Sequence, residues 1–326
     1  MMRAAIVILF LSCLSLGVMA AQPKSTAKAK AKPRVAAQSV KAKPAAAKQA
    51  GPVQGPHRKD PYVGAISADA KTGKILFEDA ADAEAYPASV TKLMTALLVL
   101  EDVKAGKYAL TDQVVATPEA YYSESSWVGI KAGQSMTVDD LLMALLVMSA
   151  NDAAIMLGVK SAGSLAAFVE RMNARASELG MTRTRYFNPN GLPPSTRRRY
   201  PWKEFNRSTA RDQLKLALKV IQYPQIFKYT SSKTATVTDG NGKPLRMMNH
   251  NRVLRMDKFH LINPDGTEAV DGLKTGYIDA GGSSIVITGT RNGRRAIVVV
   301  LGSASSDIRE AQCRRLLSDA LGAIAW

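Results

Sequence analysis

Cysteine is nearly missing from this chain. There are two in 326 residues, Cys13 and Cys313. A folded domain holding one thiol forms no internal disulfide, so packing must hold it together. Histidine is as scarce: His57, His250 and His260 stand apart, and no His-Glu-x-x-His places two zinc ligands on one helix face. No Gly-x-Ser-x-Gly elbow, phosphate-binding Gly-x-x-x-x-Gly-Lys-Ser/Thr loop or Cys-x-x-Cys occurs, which argues against the chemistries those motifs serve. Acids are outnumbered, 27 against 44 lysines and arginines, for a net charge of +17. Long apolar runs are lacking except at the start, where Ala4–Val18 follows Met1-Met2-Arg3 and precedes the small residues Ala20-Ala21. That run is short of the roughly 20 residues a spanning helix needs. With its charged start and small-residue end it reads as a cleaved secretory signal over residues 1–21. Cys13 lies inside the apolar run, not at its end, and does not mark a lipidation site.

The excess charge is concentrated. Residues 22–60 hold ten lysines and arginines and one acid, Asp60, among Ala, Pro, Gln and Gly. Such a stretch cannot bury enough apolar surface to order itself. It reads as a disordered spacer with weak attraction for polyanions, and export makes nucleic acid an implausible partner. The remainder, 61–326, is expected to be one folded domain of a secreted, periplasmic protein, its content 46% hydrophobic over the whole chain. The last cysteine, Cys313, falls in a helical pattern and reads as a small packed residue.

From Tyr62 the pattern alternates through two short strands around Asp69-Ala70-Lys71-Thr72-Gly73, a hairpin. A helix is expected to open at Ser89 after Pro87 and run apolar on all sides from Leu93, hence buried. A second buried helix follows the Thr137-x-x-Asp140 start, with body 141–148. A third begins near Ser164 and stops at Gly180; a fourth begins near Ser208 and ends before Pro224. Two strand-like runs, 285–290 and 296–301, flank Asn292-Gly293, and a last helix spans about 307–323. Strands at both ends with helices between give the α+β class: an antiparallel sheet shared by the two termini with a helical block inserted.

Three short motifs occur in order: Ser89-x-x-Lys92, Ser149-x-Asn151 and Lys274-Thr275-Gly276. Residues three apart share a helix face, so the Lys92 amine can stand beside the Ser89 hydroxyl. A lysine serves as base for a serine only when burial or a second cation lowers its pKa. The apolar run beyond Leu93 can supply the first and Lys274 the second. Ser149 offers a hydroxyl for proton relay and Asn151 an amide for substrate, though both also suit a turn at a helix exit. Lys274 and Thr275 on a strand edge can grip a carboxylate. A second Lys-Thr-Gly, at Lys71, shows how little three residues prove; it reads as the hairpin turn. His250, in Asn249-His250-Asn251, reads as a structural hydrogen-bonder.

Taken together, these segments resemble the low-molecular-mass penicillin-binding proteins, the serine-type D-Ala-D-Ala carboxypeptidases and their endopeptidase relatives. The likeness runs through Tyr86 to Thr95, Leu141 to Ala154, Leu179-Gly180-Met181, Phe187 to Leu192, Ser208 to Asp212, Asn249-His250-Asn251 and Asp271 to Tyr277, covering about residues 61–320. It implies the β-lactamase/transpeptidase-like fold, a five-stranded antiparallel sheet flanked by helices plus a helical subdomain, with the site in the seam. It also implies Ser89 as nucleophile on the D-alanyl carbonyl, Lys92 as general base and Ser149 as relay. Asn151 would bind the substrate amide, Lys274 and Thr275 would take its carboxylate, Gly276 and Tyr277 would also line the substrate, and the resemblance implies no cofactor and no metal. The Ser89 and Tyr277 N–H groups would form the oxyanion hole. Peptidoglycan peptides would be substrates and β-lactams covalent inhibitors. Two rivals remain: a class A-like β-lactamase, disfavoured because no Glu-x-x-Leu-Asn lies between Asn151 and Lys274, and a non-catalytic wall-binding protein, disfavoured because every motif position is chemically competent. The chain ends at Trp326, as in the shorter soluble relatives. The arginine that some relatives place soon after the last strand is not found in Gly302-Ser303-Ala304-Ser305-Ser306, which points away from strict carboxypeptidase specificity. The basic loop 193–200 reads as solvated, or as a contact for anionic glycan.

Overall fold

The computed structural model describes residues 58–120, 126–194 and 203–324. The expected leader, the basic stretch up to residue 57 and residues 195–200 of the arginine-rich loop lie outside the described residues. Everything described belongs to the unit Ala50–Trp326.

Strands β1 (Gly64–Asp69) and β2 (Ile75–Asp79) form the expected hairpin. Its turn is built by Asp69, whose carboxylate accepts from Lys71 N at 2.8 Å, and by Gly73, which takes φ +72. The first Lys-Thr-Gly is therefore a turn. A short 3-10 turn, Ala88–Thr91, leads into α1 (Lys92–Lys104). Ser89 thus precedes the α-helix instead of capping it, since Lys92 is the first α-helical residue.

A small pair, β3 (Gln113–Val115) and β4 (Ser135–Thr137), leads to α2 (Val138–Val147). The Thr137 hydroxyl accepts from Asp140 N at 3.0 Å and donates to the Asp140 carboxylate at 2.9 Å, the capping start expected from sequence. Helix α3 (Asn151–Ala162) was not anticipated: the chain turns at Ser149, φ +63, and a new helix begins where a helix exit was expected. Helix α4 (Leu165–Glu178) starts on the Ser164 cap, and α5 (Ala210–Val220) on the Thr209 cap. Helix α6 (Gln225–Thr230), the hairpin β5 (Thr234–Thr238) and β6 (Pro244–Met248), and α7 (Arg252–Arg255) lead back to the sheet. There β7 (Val270–Ile278), β8 (Gly282–Arg291) and β9 (Arg294–Ser303) run in succession before α8 (Ser306–Ile324) closes the unit.

The main sheet has the order β2-β1-β9-β8-β7, every neighbouring pair antiparallel. Pairing of β1 with β9 joins the two ends of the unit, as the pattern of the sequence required. Its central strands show no polar alternation because both faces are covered. Ile297, Val299 and Leu301 of β9 face the large core with α1 to α5, while Ala296, Val298 and Val300 face Leu316, Leu317 and Leu321 of α8. Cys313 lies in that second layer, fully buried. Among the described residues no single helix is long and apolar enough to cross a membrane.

One polar hub ties the helical block. The Asp102 carboxylate, at the end of α1, receives both terminal nitrogens of Arg171 at 2.9 Å, Lys107 at 2.6 Å and the Ser161 hydroxyl at 2.6 Å. Burial alone would raise its pKa, but Arg171, Lys107 and Ser161 outweigh that and hold it down at about 2. Asp102→Asn leaves the half-buried Arg171 without its carboxylate partner, and should cost about 3 kcal/mol of stability at pH 7. A carboxyl depressed in the folded state contributes above its unfolded pKa and loses that contribution as pH falls from about 4 towards 2. Urea unfolding of both proteins at pH 7 and pH 3 should therefore show the gap narrowing in acid; an equal gap at both would remove the carboxylate from this role.

Candidate active site

The seam between β7 and the helical block opens as a cleft of about 620 Å³. Ser89, Ser149, Asn151, Thr275, Gly276 and Tyr277 all line it. Lys92 and Lys274 stand behind its wall with almost no exposed surface. Each of the three motifs therefore reaches one place.

Lys92 is the centre of the arrangement. Its Nζ lies 2.9 Å from Ser89 Oγ, 2.7 Å from Asn151 Oδ1 and 2.9 Å from the Asn190 carbonyl oxygen. The latter two only accept hydrogen bonds. A neutral amine carries two N–H bonds and one lone pair; with both N–H bonds spent on those oxygens, the lone pair faces the Ser89 hydroxyl. Burial, and then the charge of Lys274, hold the Lys92 amine well below the usual lysine range, with Asp152 opposing. The Asn190 contact comes from the segment Asn188–Leu192, folded by the Asn188 side chain accepting from Gly191 N at 2.6 Å. Gly191, φ +81, is pressed against Ala88: a Cβ there would sit 1.9 Å from Ala88 O. Only glycine allows this segment to approach the 3-10 turn bearing Ser89.

Ser149 and Asn151 owe their positions to the break between α2 and α3. At φ +63 Ser149 is held in backbone space that a serine seldom occupies. Its hydroxyl is buried at the cleft and has no hydrogen-bond partner among the described residues. Just beyond, the Asp152 carboxylate accepts from Val128 N and Gly129 N at 2.9 and 3.1 Å, and Asn151 N donates to Ser126 O at 2.8 Å. Asp152 thereby fixes the loop that brings Ser126 to the cleft.

β7 forms the opposite wall. Lys274 Nζ donates to Thr275 O at 2.8 Å, and burial, then the charge of Arg309, bring its pKa down to about 7. Gly276 crosses directly over the nucleophile's turn: a Cβ there would lie 2.7 Å from Pro87 O and 2.9 Å from Ser89 N. The β7 backbone at Gly276 and the Ser89 backbone N–H therefore lie side by side at the cleft. Tyr277 is 55% exposed at the rim, its hydroxyl donating to Asp279 at 2.7 Å. His250 also lines the cleft, held between Asn249, whose amide donates to Thr230 O and Ser232 O, and Asn251, which caps α7. The protein packed around the imidazole, then the charges of Lys274 and Lys92, push its pKa down to about 4. It is neutral at pH 7.

Sequence reasoning placed neither Arg58 nor Arg309 at this cleft, and both line it. Residues 302–306 carry no arginine, as read, but one turn further on Arg309 reaches back from α8 to the cleft wall, its Nη1 3.3 Å from Gly276 O. It is ion-paired with Glu310. Spacing along the chain did not reveal it because a helix, not the strand end, presents it.

A family model described as D-alanyl-D-alanine carboxypeptidase, Peptidase_S11, matches residues 62–305. D-alanyl-D-alanine carboxypeptidase DacF of Bacillus subtilis is 30% identical over 253 residues, 78% of this chain and 60% of that protein. The chain thus spans about three fifths of the length of the carboxypeptidase relatives it matches. A D-alanyl-D-alanine endopeptidase of Pseudomonas aeruginosa is 32% identical over 77% of this chain and 74% of its own. Among solved structures, penicillin-binding protein D2 of Listeria monocytogenes in its ampicillin-bound form superposes with a TM-score of 0.66 at 29% identity, covering 80% of this chain and 97% of that one. PBP3 of Streptococcus pneumoniae, a peptidoglycan synthesis regulatory factor, gives a TM-score of 0.71 at 33% identity over 81% and 72%. With a family match over residues 62–305, most of its folded unit, this chain belongs to the D-alanyl-D-alanine carboxypeptidase family, Peptidase_S11.

Proposed function

We propose that the protein is a serine D,D-peptidase that cleaves after a D-alanyl residue in peptidoglycan peptides and is acylated by β-lactams. The observation that carries this reading is the Lys92 amine, buried and 2.9 Å from Ser89 Oγ with its other two contacts made to acceptors. In the reaction, Lys92 takes the Ser89 proton as Oγ bonds to the D-alanyl carbonyl carbon. The Ser89 and Tyr277 N–H groups receive the oxyanion. Collapse breaks the C–N bond, the leaving amine takes a proton through Ser149, and water later releases the acyl group. Asn151 holds the substrate amide. Lys274, Thr275 and Arg309 bind the carboxylate on the leaving residue; Arg309 supplies the cation that residues 302–306 lack. Free D-alanine and a cross-linked peptide both leave as an amine next to a carboxylate, so one site serves carboxypeptidase and endopeptidase cleavage. A β-lactam's broken amide stays tethered, which leaves Ser89 blocked. Supporting this, relatives bear both carboxypeptidase and endopeptidase names, and one related structure is ampicillin-bound. Export by residues 1–21, with the basic stretch 22–60 as a spacer whose last residues join the fold at Lys59, fits a substrate outside the inner membrane.

Intact-mass spectrometry after mixing with penicillin should show one stable adduct, mapping to the peptide containing Ser89. Incubation with N-acylated peptides ending in D-Ala-D-Ala, and with cross-linked muropeptides, should release the amine product. Rapid penicillin turnover with no lasting adduct would favour a β-lactamase instead.

A further inference from the structure

The first described residues, Arg58 and Lys59, lie at the active-site cleft. Lys59 N donates to Gly302 O at 2.9 Å, and Lys59 bridges Ser303 in parallel, so the entering chain runs beside the end of β9. Arg58 is thereby placed on the cleft wall, with Ala304 and Tyr277 also lining it. Its stem is packed: a Cβ on Gly282 would lie 2.9 Å from Arg58 Cγ. Its Nη2 donates to Ala304 O. Arg309 is already tied to Glu310, Gly276 O and Ser284 O, whereas the only hydrogen-bond partner of the Arg58 side chain among the described residues is the Ala304 carbonyl. A guanidinium carries five donors in a planar fork suited to a carboxylate. Here the stem is fixed, the head faces the cleft, and most donors meet no partner among the described residues.

The position along β7 says which part of a substrate it meets. Lys274 and Thr275 come first on the strand, then Gly276 and Tyr277 over the nucleophile. Arg58 lies beyond, near Gly282, whose strand partner is Ile278. A peptide whose terminal carboxylate sits at Lys274 and Thr275 runs its acyl half past Tyr277 towards Arg58. Resting on the D,D-peptidase reading, we propose that Arg58 is a specificity-determining residue that receives a second carboxylate, carried on the acyl half of the peptide upstream of the scissile bond.

The test uses the whole chain and two N-acetylated tripeptides ending in D-Ala-D-Ala. They differ only in whether the first residue carries a side-chain carboxylate or the matching amide. D-alanine release gives kcat/KM for each, and penicillin labelling of Ser89 checks that every variant retains its site. The wild type should prefer the carboxylate about tenfold, the size expected of one charge-assisted contact. Arg58→Gln should abolish that preference through KM, and Arg58→Lys should keep part of it. Equal rates on both substrates with the wild type, or a preference that survives in Arg58→Gln, overturn the assignment. A fall on both substrates alike in Arg58→Gln also overturns it, since it would make Arg58 an anchor of the entering chain. Release from neither substrate by the wild type overturns the peptidase reading, and this assignment with it.

Discussion

Lys92→Ala should slow the acylation of Ser89 by penicillin about a thousandfold, within the usual range for loss of a general base. The reason is local. A serine hydroxyl is a poor nucleophile until a base takes its proton, and in the proposed mechanism the amine 2.9 Å away is the group placed to do so. Lys92→Arg should be nearly as slow, because a guanidinium stays protonated and offers no lone pair. The sign of the pH dependence follows from the same geometry. The amine is held below the usual lysine range by burial and by Lys274, so the wild-type rate rises with pH as that ammonium loses its proton, and Lys92→Ala lacks this rising limb. Stopped-flow acylation across pH, with thermal unfolding as a control for folding, measures both. A Lys92→Arg enzyme acylating at the wild-type rate would remove Lys92 as the base.

The distance between Ser89 and Lys92 was legible because it is set inside one turn of chain, where spacing alone determines which side chains meet. The strand pairing of β1 with β9 was legible for a related reason: apolar runs covered on both faces have few places to go but the middle of a shared sheet. What the sequence concealed depends on long-range backbone contacts. The Asn190 carbonyl that takes one hydrogen of Lys92 is a group every residue possesses, so nothing in its side chain announces the role. Helix α3 was hidden because Leu141–Val147 and Ala153–Leu157 form two apolar stretches whose boundary is one serine at positive φ. Arg309 and Arg58 were hidden for opposite reasons: the first sits a helical turn past where a strand-end residue was sought, and the second resembles the basic stretch that precedes it.

Gly276→Ala should cut penicillin acylation by about a hundredfold or more, the range for loss of one oxyanion donor, while the protein remains folded. The added methyl would sit 2.7 Å from Pro87 O and 2.9 Å from Ser89 N. These are backbone atoms of the nucleophile's own turn and cannot swing aside as a flexible side chain would. β7 must lift away, carrying the Tyr277 N–H out of range of the oxygen it is proposed to hold, while Lys92 and Ser89 keep their hydrogen bond. Gly293 provides the contrast. It lies in the β8–β9 turn at φ +71 with nothing within 4 Å of an added Cβ, so Gly293→Ala strains the turn at a cost of about 1 kcal/mol and leaves acylation alone. Measuring acylation rate and melting temperature for both separates the effects: Gly276→Ala should lose rate far out of proportion to stability, and Gly293→Ala the reverse. If Gly276→Ala acylated at the wild-type rate, the close crossing of β7 over Ser89 would have no part in holding the transition state, and the oxyanion site would have to be sought elsewhere in the cleft.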